Sequence, residues 1–140
     1  MGKKLYELIE HTADIGIRVW GNDLKDLFRN AGLAIFQISA EKKKNKNTNQ
    51  HNLAIAQEAD DLEELFINWL NELLSLSSSQ GLIFEELLIK QINEKRVEAT
   101  AVGGDIKSYK VNTEIKAATY HQLKIEKKVS GWQAEVILDV

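Results

Sequence analysis

The stretch that decides the fold class is residues 61–74, which reads DLEELFINWLNELL. Its large apolar side chains recur at spacings of three and four residues, which places them on one face of a helix. They are Leu62, Leu65, Phe66, Trp69, Leu70, Leu73 and Leu74. Asp61 followed by Glu64 resembles a capping box, in which each side chain binds a backbone N–H at the helix start. The serines that follow, and Gly81, which suits a left-handed backbone, predict where this helix ends.

A second helix is predicted closer to the N-terminus. Asp23 is its expected N-cap, because a carboxylate there accepts from the N–H groups of the first turn. Gly32 lies within this helix, where it lowers helix propensity and lets another element approach closely. The side chains of the apolar face again recur every three or four residues, and they are Leu24, Leu27, Phe28, Ala31, Ile35 and Ile38.

Most of the remaining chain predicts strands. Residues 5–20 indicate two strands around a turn, since Ile15, Ile17 and Val19 alternate with other residues. Further strands are predicted at residues 53–56, 82–92, 97–101 and 132–138, and residues 114–127 predict one long strand or a bent pair of strands. A turn is predicted at residues 103–105 and an exposed polar loop at residues 41–52. Helices come early and strands are concentrated late. We therefore expect one α+β domain over residues 1–140, in two layers, with two main helices packed on a mostly antiparallel or mixed β-sheet.

Composition excludes several functional classes. The chain has 140 residues and no cysteine, so thiolate nucleophiles and thiolate metal sites are absent. Its 18 basic and 21 acidic residues give a net charge of −3, which argues against a uniformly basic nucleic-acid binder. The sequence contains no phosphate-loop, dinucleotide-binding, serine-hydrolase or zinc-protease motif. It also has no apolar run of the ~18 residues that a membrane span needs, and no secretory signal, which favours the cytoplasm.

Two acidic positions would meet if the fold brought their strands together. Asp14 precedes the alternating strand, and Asp139 ends the last predicted strand, followed by the α-carboxylate of Val140. Three converging carboxylates repel one another, and a hard cation such as Ca²⁺ or Mg²⁺ would offset that repulsion. The simpler interpretations are a turn at residues 11–14 and a solvated strand end at Asp139.

Two further groups of polar residues can each be interpreted as a functional site or as an ordinary solvated surface. Glu114, Lys116 and His121 would form a cluster with acid–base capacity, or the wet face of an ordinary strand. The lysines at residues 42–46 would contact phosphates, or form a solvated loop.

Four stretches of the chain, in this order, resemble the archease family. They are Tyr6-Glu7 with His11-Thr12-Ala13-Asp14-Ile15-Gly16, then residues 69–74, 114–121 and 131–140. The combination of His-Thr-Ala-Asp with Ile-Lys-Ala-Ala-Thr-Tyr-His is specific, and the stretches span nearly the whole chain. Residues 104–109 depart from the acidic pattern that the family often has there, so no role carries over to them. The fold implied by this resemblance is a two-layer α+β arrangement, which agrees with the periodicity.

The resemblance implies an accessory protein that is not itself an enzyme. Archeases activate the RNA ligase of the RtcB type in tRNA splicing and RNA repair, by promoting guanylylation of the ligase and multiple turnover. The implied partners are that ligase and, indirectly, tRNA or other RNA, in the cytoplasm and without a membrane.

A set of site residues is implied as well, none of them catalytic. The family binds a divalent cation through aspartates at the positions of Asp14 and Asp139, and Val140 is the expected neighbouring oxygen donor. Ca²⁺ is the first expectation for the cation, with Mg²⁺ or Mn²⁺ as alternatives. The residues expected in a functional cluster for the partner are His11, Lys116 and His121.

Two other functions remain open from the sequence. An RNA-binding or chaperone-like module acting on tRNA-processing enzymes would use the lysines at residues 42–46 and bind RNA in a salt-dependent way without any ligase. A metal-dependent hydrolase using Asp14, Asp139 and His121 would turn over phosphoesters alone. The resemblance favours the activator, and an activator needs no nucleophile or nucleotide loop of its own.

Overall fold

The computed structural model describes residues 5–9, 14–44 and 49–140. Its first helix, α1, covers Leu24–Ser39. Asp23 caps α1 as predicted, since its carboxylate accepts a hydrogen bond from the N–H of Asp26 at 2.8 Å. No helix in the described part of the chain is long and apolar enough to cross a membrane.

The second helix, α2, covers Leu62–Gln80 and begins at the predicted capping box. Asp61 accepts from the N–H of Glu64 at 2.9 Å, and the Glu64 carboxylate accepts from the N–H of Asp60 at 3.2 Å. Gly81 ends α2 in a left-handed conformation with φ of 65°. The predicted start and end of this helix are confirmed.

The two helices contact each other through buried aromatic side chains. The indole Nε1 of Trp69 donates to the carbonyl oxygen of Phe28 at 2.8 Å. The rings of Phe28 and Phe66 meet edge to face, with centroids 5.3 Å apart. Trp69, Phe28 and Phe66 are completely buried, so this cluster anchors α2 in the core.

Nine strands form three sheets in the described residues. In chain order they are β1 (Tyr6–Ile9), β2 (Ile15–Gly21), β3 (Ala40–Lys42), β4 (Gln50–Glu58), β5 (Leu82–Ile92), β6 (Arg96–Asp105), β7 (Tyr109–Val111), β8 (Ala117–Lys128) and β9 (Gly131–Asp139). A four-stranded sheet has the order β1-β2-β9-β8, a three-stranded sheet has the order β4-β6-β5, and β3 pairs with β7. Every pairing among these strands is antiparallel.

Both helices contact both of the larger sheets. Helix α1 packs on β2 and β9 of the four-stranded sheet and on β5 of the other, while α2 packs on β8 and on β4, β5 and β6. The predicted α+β class, with two helices on antiparallel sheets, is confirmed. The division into separate sheets was not visible in the periodicity, because pairing partners are distant in sequence.

The predicted turn at residues 103–105 is wrong, because these residues continue β6. Gly103 pairs with His51 on one side and with Phe84 on the other. A Cβ at Gly103 would lie only 2.4 Å from the carbonyl oxygen of Ile83. Gly103 therefore permits a close approach of two strands, whereas the sequence pattern indicates a turn residue there.

The predicted loop at residues 41–52 is partly wrong. Glu41 and Lys42 belong to β3, and β4 begins at Gln50. Their side chains are exposed while their backbones pair with neighbouring strands. The end of β3 and the start of β4 could not be predicted, because their side chains are polar and only their backbones take part in the pairing. Residues 45–48, in the middle of the predicted loop, lie outside the described residues.

Candidate functional site

Asp14 and Asp139 lie at the same end of one antiparallel strand pair. Ile15, the first residue of β2, pairs with Leu138 of β9. Asp14 directly precedes Ile15, and Asp139 directly follows Leu138. The adjacency of the two strands, which the sequence left conditional, is therefore a feature of the fold.

The start of β8 joins this end of the sheet from the other side of β9. Ala117 pairs with Asp139, and the backbone N–H of Lys116 donates to the carbonyl oxygen of Asp139 at 2.8 Å. The side chain of Lys116 is exposed, as is that of Asp139, while Asp14 is half-buried. Three chain segments thus bring the backbones of Asp14, Lys116 and Asp139 to one end of the sheet.

Asn71 of α2 fixes the same strand start from the helix side. Its Oδ1 accepts from the N–H of Ala118 at 2.7 Å, and its Nδ2 donates to the Ala118 carbonyl at 3.2 Å. Sequence reasoning missed this residue as a site component, because an asparagine on a helix usually indicates a polar face. The only available signal was its position inside the family-like stretch at residues 69–74.

The donor chemistry at this strand end suits a hard cation, but the described side chains do not complete a site. Carboxylate oxygens are the ligands that Ca²⁺ and Mg²⁺ prefer. Within residues 5–9, 14–44 and 49–140, no group of three His, Asp or Glu side chains is arranged to hold a metal ion. Two aspartates would therefore need further oxygen donors, such as an oxygen of the exposed residue Val140, or water.

The structure shows neither of the two histidines named from the sequence beside the aspartates. His11, with the rest of residues 10–13, lies outside the described residues. His121 lies in an irregular part of β8, between the pairs Thr119–Ile137 and Lys124–Glu135. Four residues of β8 are opposite one residue of β9 there, and the next residue has a positive φ of 54°. The exposed His121 is thus carried on a bulge rather than in the regular ladder next to Asp139.

A groove of about 710 Å³ opens next to Lys116 and Asn71. It lies between the C-terminal half of α2 and the segment that leads into β8. Its apolar lining residues are Phe36, Leu74, Ile83, Ile106, Val111 and Ile115. Serines of α2 and Thr113 provide hydroxyl groups at the same groove. No sequence pattern indicated it, because its walls come from five separate segments.

A charged ladder crosses the same four-stranded sheet further along. Arg18 of β2 forms ion pairs with Glu7 of β1 and with Glu135 of β9, the latter at 3.1 Å. The hydrogen bond to Glu135 is the largest of the effects that raise the pKa of Arg18. Lys124 of β8 lies opposite Glu135 in the register. Arg18 therefore links β1, β2 and β9 through side-chain ion pairs, while the ammonium group of Lys124 pairs with Glu126 of its own strand.

The fold and this strand end define a class of protein: a small α+β domain in which two helices pack on antiparallel sheets and two aspartates meet at one strand end. The model of the Archease protein family (MTH1598/TM1083) matches residues 6–140. The chain belongs to this family, as the four sequence stretches indicated.

Named relatives and solved structures support the same assignment over nearly the full length. Protein archease from Methanosarcina acetivorans is 38% identical over 145 residues, which cover 99% of this chain and 97% of the relative. Protein archease from Pyrococcus abyssi is 36% identical over 143 residues, which cover 98% of this chain and 99% of the relative. The solution structure of Methanobacterium thermoautotrophicum protein 1598 matches with a TM-score of 0.73 at 27% identity, covering 99% of this chain and 100% of that one. The crystal structure of TM1083 from Thermotoga maritima, an archease and possible chaperone, matches with a TM-score of 0.68 at 26% identity, covering 94% of each chain.

Proposed function

We propose that this chain activates an RNA ligase of the RtcB type, by promoting guanylylation of the ligase, and that a divalent cation at Asp14 and Asp139 is required. The chain supplies no nucleophile in this proposal, because the ligase carries out the chemistry. Family membership supports an accessory role in general. The RNA ligase as partner, the cation and the cytoplasmic setting are parts of the proposal.

The observation that carries the proposal is the register of β2 against β9. It brings the ends that bear Asp14 and Asp139 together, although the two residues lie near opposite ends of the sequence. Carboxylate oxygens from two adjoining strand ends are hard donors, so the cation expected there is Ca²⁺, with Mg²⁺ or Mn²⁺ as alternatives.

Six residues of the chain have a defined role in this proposal. Asp14 and Asp139 hold the cation, and an oxygen of Val140 is the third donor. The exposed ammonium group of Lys116 contacts the acidic or phosphate groups of the partner surface. His11 and His121 belong to the same partner cluster in the proposal.

The direct test is guanylylation of the cognate ligase with and without this protein, in a series of divalent cations. Stimulation is expected with the wild-type chain and is expected to be lost in Asp14→Asn and in Asp139→Asn. Glu94→Gln is the matched control, because Glu94 is an exposed acidic residue in the turn between β5 and β6. Full stimulation by both aspartate variants would show that the cation site is wrong.

A second candidate is an RNA-binding or chaperone-like module, favoured by a group of exposed lysines at the end of β3. Lys42, Lys43 and Lys44 are exposed, and the Lys43 ammonium donates to the carbonyl oxygen of Lys107 at 3.2 Å. This function predicts salt-dependent binding of RNA in the absence of ligase. A gel-shift titration at two salt concentrations, with Lys43→Gln as the variant, separates it from the activator.

A further inference from the structure

Asn71 binds both backbone groups of a single residue at the edge of the four-stranded sheet. Its amide accepts from the Ala118 N–H at 2.7 Å and donates to the Ala118 carbonyl at 3.2 Å. Ala118 is only 4% exposed, so water has little access to these groups. The amide therefore provides the two hydrogen bonds that a further strand would otherwise provide.

This contact lies on a short path between the core and the aspartate end. On the core side, Trp69 precedes Asn71 by two residues on α2 and is fixed by its bond to the Phe28 carbonyl. On the other side, Ala118 follows Ala117, the partner of Asp139 in the register. The first residues of β8 are thus bound to α2 on one edge and to β9 on the other.

We propose that Asn71 is a positioning residue of the aspartate site: it holds the start of β8 against Asp139 and so sets the geometry of the carboxylates. The inference rests on the proposed function, because it assigns a role at the same site. Asn71 touches neither aspartate in this proposal and acts through the β8 backbone. Its loss changes how tightly the site binds a cation, while the ligand set stays the same.

The variant Asn71→Leu removes both hydrogen bonds at nearly constant volume. Loss of an orienting contact behind a ligand typically weakens cation binding by about 10-fold or more. We expect the Ca²⁺ concentration for half-maximal ligase stimulation to rise about tenfold, with the same maximum at saturating Ca²⁺. Amide hydrogen exchange at Lys116 and Ala118, measured by NMR without ligase, is expected to accelerate.

Asn68→Leu is the matched control on the same helix. The Asn68 amide makes one exposed bond, of 3.4 Å, to the Glu58 carbonyl at the end of β4, away from the aspartates. This variant is expected to leave the Ca²⁺ dependence and the exchange of Lys116 unchanged. If Asn71→Leu does not fold, Asn71→Asp replaces it: this variant keeps the acceptor for Ala118 and loses the donor, and a smaller shift in the same direction is expected.

The outcomes separate this inference from the proposed function. A lower maximum with an unchanged Ca²⁺ midpoint means that Asn71 only stabilises the fold, which overturns the inference and leaves the activator intact. Slow exchange at Lys116 in the folded Asn71→Leu variant also overturns it. Absence of stimulation by the wild-type chain overturns the proposed function and this inference together.

Discussion

Lys116 donates its backbone N–H to the carbonyl oxygen of Asp139 at 2.8 Å, so the segment before β8 is tied to the end of β9 by main-chain atoms alone. The side chain of Lys116 takes no part in this bond and is exposed. The residue therefore has two separable contributions, one through its backbone to the fold and one through its ammonium group to partner binding.

Substitutions at Lys116 separate the two contributions. Lys116→Ala keeps the N–H and is expected to change the free energy of unfolding by no more than about 0.5 kcal/mol. Ligase stimulation is expected to fall about tenfold, the effect of losing one charged contact of about 1.4 kcal/mol. Lys116→Pro removes the donor and is expected to lower stability by about 1 kcal/mol or more. Denaturant unfolding and a stimulation assay on both variants measure this, and an Ala variant with full stimulation contradicts the role of the ammonium group.

Gly32 is predicted to tolerate alanine poorly, although alanine is the better helix former, because the ends of two fully buried leucine side chains would have to shift. A Cβ at this position would lie 2.4 Å from the Leu87 Cδ1 atom and 2.9 Å from the Leu73 Cδ1 atom. Overpacking of this kind typically costs 1–3 kcal/mol, more than the ~1 kcal/mol gained in helix propensity. Gly32→Ala is therefore expected to lower the unfolding temperature. Gln37→Ala, on the exposed face of α1, serves as the control, and a rise in stability for Gly32→Ala would mean that α1 and β5 do not pack this closely.

Asp61 is predicted to stabilise α2 through its cap rather than through its charge. Its carboxylate accepts from the Glu64 N–H at 2.9 Å. Asp61→Ala is expected to cost about 1 kcal/mol, while Asp61→Asn keeps an acceptor and is expected to cost much less. Thermal unfolding of both variants measures the difference. Equal losses in the two variants would assign the effect to the charge near the helix start.

Local features of the fold could be predicted from the sequence because they are encoded by neighbouring residues. The period of the apolar side chains and the Asp61–Glu64 cap identified α2, and Asp23 identified the start of α1. The glycines at residues 103–104 were misread as a turn, because the same residue also permits strands to approach closely. Only the pairing of β6 with both of its neighbours distinguishes the two uses.

The candidate site could not be assembled from local patterns, because it depends on the order of strands in the sheet. The two aspartates were named from the residues and again from the family resemblance, but their adjacency depends on β9 lying beside β2. The contribution of Asn71 required knowing that α2 passes the edge of β8 at Ala118. His121 looked like part of the same cluster on a regular strand, but a bulge carries it out of the ladder.

The pair Lys124–Glu126 on β8 predicts a small acid dependence of stability. The hydrogen bond from Lys124, at 3.0 Å, and then its charge hold the pKa of Glu126 below its ordinary value of 4.5. Because the folded pKa is lower than the unfolded one, this stabilisation is present above about pH 4.5 and is lost as the pH falls through the folded pKa. An NMR titration is expected to give a Glu126 midpoint that rises in Lys124→Gln. A midpoint that stays the same in the variant would show that the two side chains do not interact in solution.

The strongest test of the cation site is whether Ca²⁺ stabilises the wild type but not the aspartate variants. With Ca²⁺ at about 100 times its dissociation constant, the wild type is expected to gain about 2.7 kcal/mol, a gain that both variants lose. Thermal unfolding in chelator and in Ca²⁺ measures this, with Glu94→Gln as a control that should follow the wild type in both. Equal Ca²⁺ shifts in the wild type and the two aspartate variants would place the cation elsewhere on the protein.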